Sequence, residues 1–448
     1  MAIDTSLSFE FPAIRGKDLT GRFDGGDITT DCGALLVSLA DRKIGLSAAI
    51  ADQIIDKRQS SKVRHSVADL LRQRIIAIAC GYEDANDFDT LASDPAIKLA
   101  CGRAPKSDPN LGSQPTISRF ENAASRKDIA AMGYAIARRV VAQLPRKTRQ
   151  VVIDIDAYED PCHGQQELEF FNGYYGSHCY VPLAVFVTGP DGVQRLMGAI
   201  LRSGKGGNIG VASAIDVAVA AVRERFPKTR IILRADSGFG NADVLSLCDK
   251  LKISYVLGLA GNRRLQTLST KAQMLACWLY TFRKDLWLAA GVCRVFRQFE
   301  YKAGTWDRKR RTIVKAEVTN GDLNPRYIVT NLTCVPEKAY EFYCQRGDIE
   351  NRIKEFKLDL FAGRTSCHRF KANQFRLMLH VAASVLMTAI QEAAKNTALS
   401  RTQAGTIRLR LLKLGARVVE TTRRIWLHMS SSFSHQATWA AVYTALGP

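Results

Sequence analysis

"RQVVIDIDAY", residues 149–158, is where the pattern of this chain changes. Val151, Val152, Ile153 and Ile155 crowd into a short β-branched run, the composition of a buried strand. The run carries two acids near its end. Asp154 and Asp156 are two apart, so a strand sends both to one face. Downstream, "YVPLAVFVTGPDGVQRLMGAIL" (180–201) reads as a hairpin around a Gly-Pro-Asp-Gly turn. A helix (210–226), a strand ("RIILRAD", 230–236), a helix (240–251) and another strand (253–260) follow. Three strands, helix, strand, helix, strand predict an α/β fold: a mixed sheet flanked by helices. Asp156 ends the first strand and Asp236 the fourth, where backbone pairing stops and side chains project into a crevice.

Outward from this core the chain divides into four segments. Residues 1–147 read mostly as helices, with apolar residues three and four apart in "ALLVSLADRKIGLSAAIADQI" and "VADLLRQRIIAIACGY". Within them "TISRFENAAS" (116–125) resembles the second helix of a helix-turn-helix, with Thr116, Ser118 and Arg119 available to DNA; an ordinary capped surface helix fits it equally. Residues 148–264 are the first part of the core. Residues 265–335 form a β-rich insertion, because "GVCRVFRQFEYKAGTWDRKRRTIVKAEVTN" and "PRYIVTNL" alternate polar and apolar. Residues 336–448 return to helices and include a basic tail at 401–428.

Charge is the informative bulk property. Lys and Arg total 63 against 43 Asp and Glu, a net +20. The surplus is spread along the chain and concentrated at 261–330, where 14 basic residues face 5 acidic ones. A polyanionic partner, nucleic acid, fits this better than a lipid surface, which calls for one basic tail or amphipathic helix. No apolar stretch reaches the ~18 residues that span a bilayer. The start, "MAIDTSLSFEFPAIRG", lacks a secretory pattern, and eleven dispersed cysteines without a CxxC pair point to reduced thiols in the cytoplasm. Cys162-His163 and His178-Cys179 do not have zinc-site spacing. "RSGKGGNIG" (202–210) lacks the spacing of a phosphate loop, which argues against an NTPase, although Lys205 is placed to touch DNA.

A second stretch carries the chemistry. In "YEFYCQRGDIENRIKEFKLDL" (340–360), Tyr343, Arg346, Glu350 and Lys357 fall within roughly 60° of one another at ~100° per helical residue. An i,i+4 Arg–Glu pair by itself is ordinary surface decoration. Together with Asp156 and Asp236, however, Glu350 makes three carboxylates, which would repel and protonate without cations between them. Two divalent ions ~3.5–4 Å apart resolve this and activate oxygen nucleophiles against phosphorus. Hard oxygen donors suit Mg²⁺ or Mn²⁺.

These features resemble a known family, the DDE transposases of bacterial insertion sequences, whose catalytic core is ribonuclease-H-like. The stretch at 343–357 matches the Y-x-x-R-x-x-x-E-x-x-x-x-x-x-K motif of one large branch. "TDCGALL", "QPTISRFENAA", "DIDAYEDPCHG", "LRADSGFG" and "RTSCHRFKANQFR" are similar to one of its subfamilies, distantly akin to piggyBac-type transposases. The resemblance implies that Asp156, Asp236 and Glu350 are catalytic metal ligands, with two Mg²⁺ or Mn²⁺ ions. It implies that Tyr343, Arg346 and Lys357 grip DNA phosphates, that 1–147 binds terminal inverted repeats, and that 265–335 clamps the transposon end. The activity implied is cut-and-paste transposition by a homodimer on paired ends. Tyr158 departs from the subfamily, which has Thr there, and that puts robust activity in question.

In the insertion, Trp306 sits at the tip of "GTWDRKRR", either as a core residue or as a platform for a displaced base. Arg308, Lys309, Arg310 and Arg311 beside it are candidates for phosphate contacts. A nuclease on the same fold, and a DNA-binding protein that has lost catalysis, remain open.

Overall fold

The structure is a computed structural model that describes residues 7–288 and 291–447. The first residues of the N-terminal stretch, 1–6, lie outside the described residues. The chain packs into two units. One comprises 125–358 and 362–381, the other 1–124, 359–361 and 382–448.

The larger unit is built on an eight-stranded mixed sheet. In chain order its strands are β1 (Gln150–Ala157), β2 (Leu183–Thr188), β3 (Gln194–Ile200), β4 (Arg230–Ala235), β5 (Ser254–Leu259), β6 (Val292–Tyr301), β7 (Arg310–Thr319) and β8 (Asp322–Thr330). They lie side by side as β6-β7-β8-β5-β4-β1-β2-β3. β1, β4 and β5 are parallel, and all other pairings are antiparallel. β1 is buried on both faces, which is why it reads as an almost continuous apolar run. The helices Val211–Arg225 and Ala242–Lys250 make the crossovers into β4 and β5. The first starts after Gly210, whose φ of 77° is left-handed and which abuts Ile200.

The β-rich region joins the main sheet. β6, β7 and β8 are hydrogen-bonded onto β5 and extend the same sheet. Two helices precede them, Arg263–Leu268 and Thr270–Phe282. The second went unread because apolar residues surround its whole circumference, leaving no amphipathic period. A small sheet of Asp160–Pro161, Ser177–Tyr180 and Phe170–Asn172 lies between β1 and β2 in sequence.

The other unit gathers short helices, among them Val67–Cys80 and Gln114–Ala123. These two are joined by a fully buried Arg74–Glu121 ion pair at 2.6 Å. Glu121 and Ile117 face that core, while Arg119 on the same helix is exposed. Within the basic segment 401–428, Ala416–Glu420 pairs with Ile425–Met429 and with Ile28–Thr29. A two-stranded hairpin, Ser8–Ile14 with Lys17–Arg22, completes the unit.

Candidate active site

The site forms at the carboxyl ends of two adjacent parallel strands. β1 delivers Asp156 there, and Asp236 follows directly after β4. Asp236 caps the short turn beyond its strand, its Oδ1 accepting from Gly238 N at 2.9 Å. Neighbouring β5 contributes an absence of side chain. A Cβ at Gly258 would stand 2.7 Å from both Ser237 N and Tyr343 Oη. Glycine there lets the Asp236 turn and the tyrosine close onto the strand.

The motif stretch approaches from above, but not as one helix. Pro336–Cys344 and Gly347–Leu358 are separate helices with a turn at Gln345–Arg346. The single stripe read from spacing therefore breaks at the turn, next to Gly347, whose permissive backbone weakens helix continuity. Freed from a helical wall, Arg346 reaches both acids. Its Nη1 donates to Asp156 Oδ2 at 2.8 Å and its Nη2 to Glu350 Oε1 at 3.0 Å. Glu350 is mostly exposed, and Asp156 is buried.

Burial pushes the Asp156 carboxyl up to about 6; Arg346 pulls it down, while Asp236 and Glu350 push it further up. Three carboxylates therefore sense one another, and a guanidinium offsets part of their repulsion. Among the described residues no group of three His, Cys, Asp or Glu stands close enough to hold a metal ion as folded. The donor chemistry nevertheless fits a hard divalent cation: carboxylate oxygens converge on shared positive charge, which Arg346 now provides.

Asp154 has another task. It pairs with Arg234, its register partner on β4, through bonds of 2.6 and 3.0 Å in the sheet interior. Arg234 Nη1 then donates to Phe342 O at 2.7 Å, tying the first motif helix to the sheet. Sequence reading missed Arg234, although a cation following the apolar run of one strand, beside a strand carrying an acid, was the available signal. Tyr343 is half-buried near Gly258, and burial raises its phenol's pKa.

Lys357 lies at the far end of the second motif helix. A Cβ on Gly363 would be 3.3 Å from its Cγ, and its charge acts on Asp160. Asp160 is fully buried, accepts from Thr365 Oγ1 at 2.9 Å, and is pushed up to about 7 by burial. Tyr158 packs edge-on against Phe356, with centroids 6.4 Å apart.

The insertion residues divide. Arg308 and Lys309 are exposed, Arg308 pairing with Asp249 at 2.9 Å. Trp306 is 4% exposed and packs edge-on against Tyr301, so as folded it offers no face to a base. Arg310 is equally buried, bonded to Asp249, Asp307 and Tyr255. Arg311 is spent on Gln298 and on the carbonyls of Leu332 and Cys334. Both arginines brace the sheet, Arg310 from a buried position and Arg311 from a half-buried one.

Comparison with known proteins adds family membership. No curated protein matches. Among solved structures, the cryo-EM structure of a piggyBac transposase synaptic complex with hairpin DNA is similar at a TM-score of 0.41 and 10% identity. The match covers 86% of this chain and 80% of that one, a likeness too distant to bear on function. The family described as transposase DDE domain group 1 matches residues 11–448. With nearly the whole length matched, the chain belongs to the group 1 DDE transposase domain family.

Proposed function

We propose that this protein is a cut-and-paste DNA transposase of the branch marked by Tyr343, Arg346, Glu350 and Lys357, acting at terminal inverted repeats. One observation carries the reading. Asp156 and Arg346, 190 residues apart in sequence, meet at 2.8 Å, and the same guanidinium holds Glu350. A fold that brings a strand-end acid and a helix acid onto one cation, beside Asp236, has the parts for phosphoryl transfer.

Asp156, Asp236 and Glu350 are the residues that would hold Mg²⁺ or Mn²⁺. Bound there, the ions supply charge to the developing phosphorane and lower the pKa of the attacking oxygen. Arg346 neutralises the acids in its present position, and its planar fork suits a phosphate equally well. Tyr343 offers a neutral hydrogen bond and Lys357 a point charge to the strand. Arg308, Lys309 and Arg119 hold backbone phosphates away from the reacting bond. Water attacks first and releases a 3′-OH at the transposon end. That hydroxyl attacks the opposite strand to form a hairpin, water opens the hairpin, and the 3′-OH finally attacks target DNA. Each step is an in-line displacement at phosphorus. Joining two ends calls for two copies of the chain.

The test is the purified protein with DNA carrying the inverted repeats that flank its gene, a plasmid target, and Mg²⁺ or Mn²⁺. Hairpin ends and joined products on a gel are expected. Cut ends that never join would make it a nuclease. Binding with no cleavage in either metal would make it a DNA-binding protein.

A further inference from the structure

The hairpin of Ser8–Ile14 and Lys17–Arg22 has no structural reason to stand alone. A two-stranded ribbon is marginal in water unless its apolar face is covered. Here Phe9, Phe11 and Leu19 share one face, because Phe9 lies opposite Gly21 and Phe11 opposite Leu19. Phe23 extends that face, its ring 5.6 Å from that of Phe9. All four are open to solvent: Phe9 44%, Phe11 54%, Leu19 44% and Phe23 65% exposed. The opposite face is polar, with Ser8 across from Arg22 and Glu10 across from Thr20.

Three features identify the partner. First, residues 8–24 hold three acids (Glu10, Asp18, Asp24) and three bases (Arg15, Lys17, Arg22), in a chain whose net charge is +20. A balanced, aromatic ribbon is a protein-binding element, not a polyanion-binding one. Second, among the described residues the sheet has two strands, so the outer edge of Lys17–Arg22 has no strand beside it. Pro12 lacks the N–H needed along the other edge, whereas Lys17–Arg22 contains no proline. Third, that free edge is complementary to itself. Laid antiparallel against an identical strand about Thr20, it sets Asp18 opposite Arg22 of the partner subunit, and Arg22 opposite the partner's Asp18. Leu19 then meets the partner's Gly21 on the apolar face. Neither Asp18 nor Arg22 has an ion-pair partner among the described residues.

We infer that the hairpin is a dimerisation element, joining two copies of this chain edge to edge through Lys17–Arg22 into one four-stranded sheet with a continuous aromatic face. The contact is isologous, so it closes on two copies and does not propagate. It acts without DNA and independently of the proposed chemistry.

The experiment is sedimentation velocity of the full chain without DNA, over a micromolar concentration series. A dimer is expected. D18R or R22D puts like charges opposite each other at both symmetry-related positions and should weaken the dimer by about tenfold or more. The double exchange D18R/R22D restores opposite charges and should restore the dimer. In parallel, T20C places two cysteines at the two-fold axis and should give a disulfide-linked dimer beyond the wild-type background. A monomeric wild type across the series, single variants that dimerise normally, or a double variant that fails to recover would overturn the inference. Circular dichroism of each variant checks that it folds. DNA cleavage is not read here, so a failure of the proposed activity leaves the result interpretable.

Discussion

Arg346 sits 2.8 Å from Asp156, an acid held near pKa 6 by burial and by its carboxylate neighbours. The positive charge this cleft demands is therefore built into the motif that closes over it. Replacing Arg346 by Lys should not substitute, since one ammonium cannot bridge Asp156 and Glu350 as a planar fork does. Both R346K and R346A are expected to lose cleavage. R346A and K357A should each lower the salt slope of transposon-end binding by about one counterion. An unchanged slope with weakened metal affinity would move Arg346 from DNA to metal-site duty.

Glu350→Gln keeps size and hydrogen bonding while removing charge. Binding to transposon-end DNA should stay near normal, and cleavage should fall by about three orders of magnitude or more. Band-shift and cleavage assays on one preparation read both. Efficient cutting by this variant would show that another acid completes the site.

The two acids of β1 separate by experiment. Asp156→Cys should suppress activity with Mg²⁺ and keep part of it with Mn²⁺, because sulfur is a softer donor. Asp154→Asn instead leaves Arg234 buried and half-paired, a loss of about 3–5 kcal/mol of stability in urea unfolding. A Mg²⁺-to-Mn²⁺ switch with Asp154→Cys and none with Asp156→Cys would reverse these roles.

The pH dependence follows from Asp156. Its folded pKa of about 6 lies above the unfolded 3.8, so between these values the folded state holds a proton that the unfolded state has lost. Stability contributed by this group is full below pH 4 and declines as pH rises through 6, by on the order of 3 kcal/mol. Asp156→Asn should flatten that part of the profile. Divalent-cation binding, which needs the carboxylate, should strengthen over the same interval; thermal unfolding with and without Mn²⁺ measures both.

Gly258→Ala places a methyl group where Ser237 N and Tyr343 Oη already lie 2.7 Å away. Both must move. The variant should fold with about 1–3 kcal/mol less stability and lose most cleavage. Full activity would mean that Tyr343 need not be held against β5.

Much of this site was legible because parallel strands announce themselves. The apolar run of β1 ending in Asp156, and "RIILRAD" ending in Asp236, locate two acids without any knowledge of packing. Spacing alone misled at Arg346, since a helical wheel assumes continuity that Gly347 was free to interrupt. Trp306 illustrates another limit. A hairpin tip suggests exposure, yet Trp306 N bonds back to Ala303 O at 3.1 Å and the ring turns onto Tyr301. The fate of Arg310 depended on Asp249, 61 positions away in sequence, which no local pattern reports. The two strands of the basic tail, five residues each, went unread because charged residues crowd so short a stretch.

The distance along the chain between Asp156 and the arginine that reaches it has a consequence for synthesis. A ribosome adding roughly 5–20 residues per second needs about 10–40 s to pass from one to the other. During that interval the strand bearing Asp156 can pair with its neighbours, but Glu350 does not yet exist. A nascent chain attached near its own gene therefore carries an incomplete set of acids until the outer strands β6 to β8 have emerged. Truncated products ending before residue 346 would be unable to cut DNA while still presenting the hairpin at 8–22. Such fragments would enter mixed dimers and act as inhibitors of the complete protein.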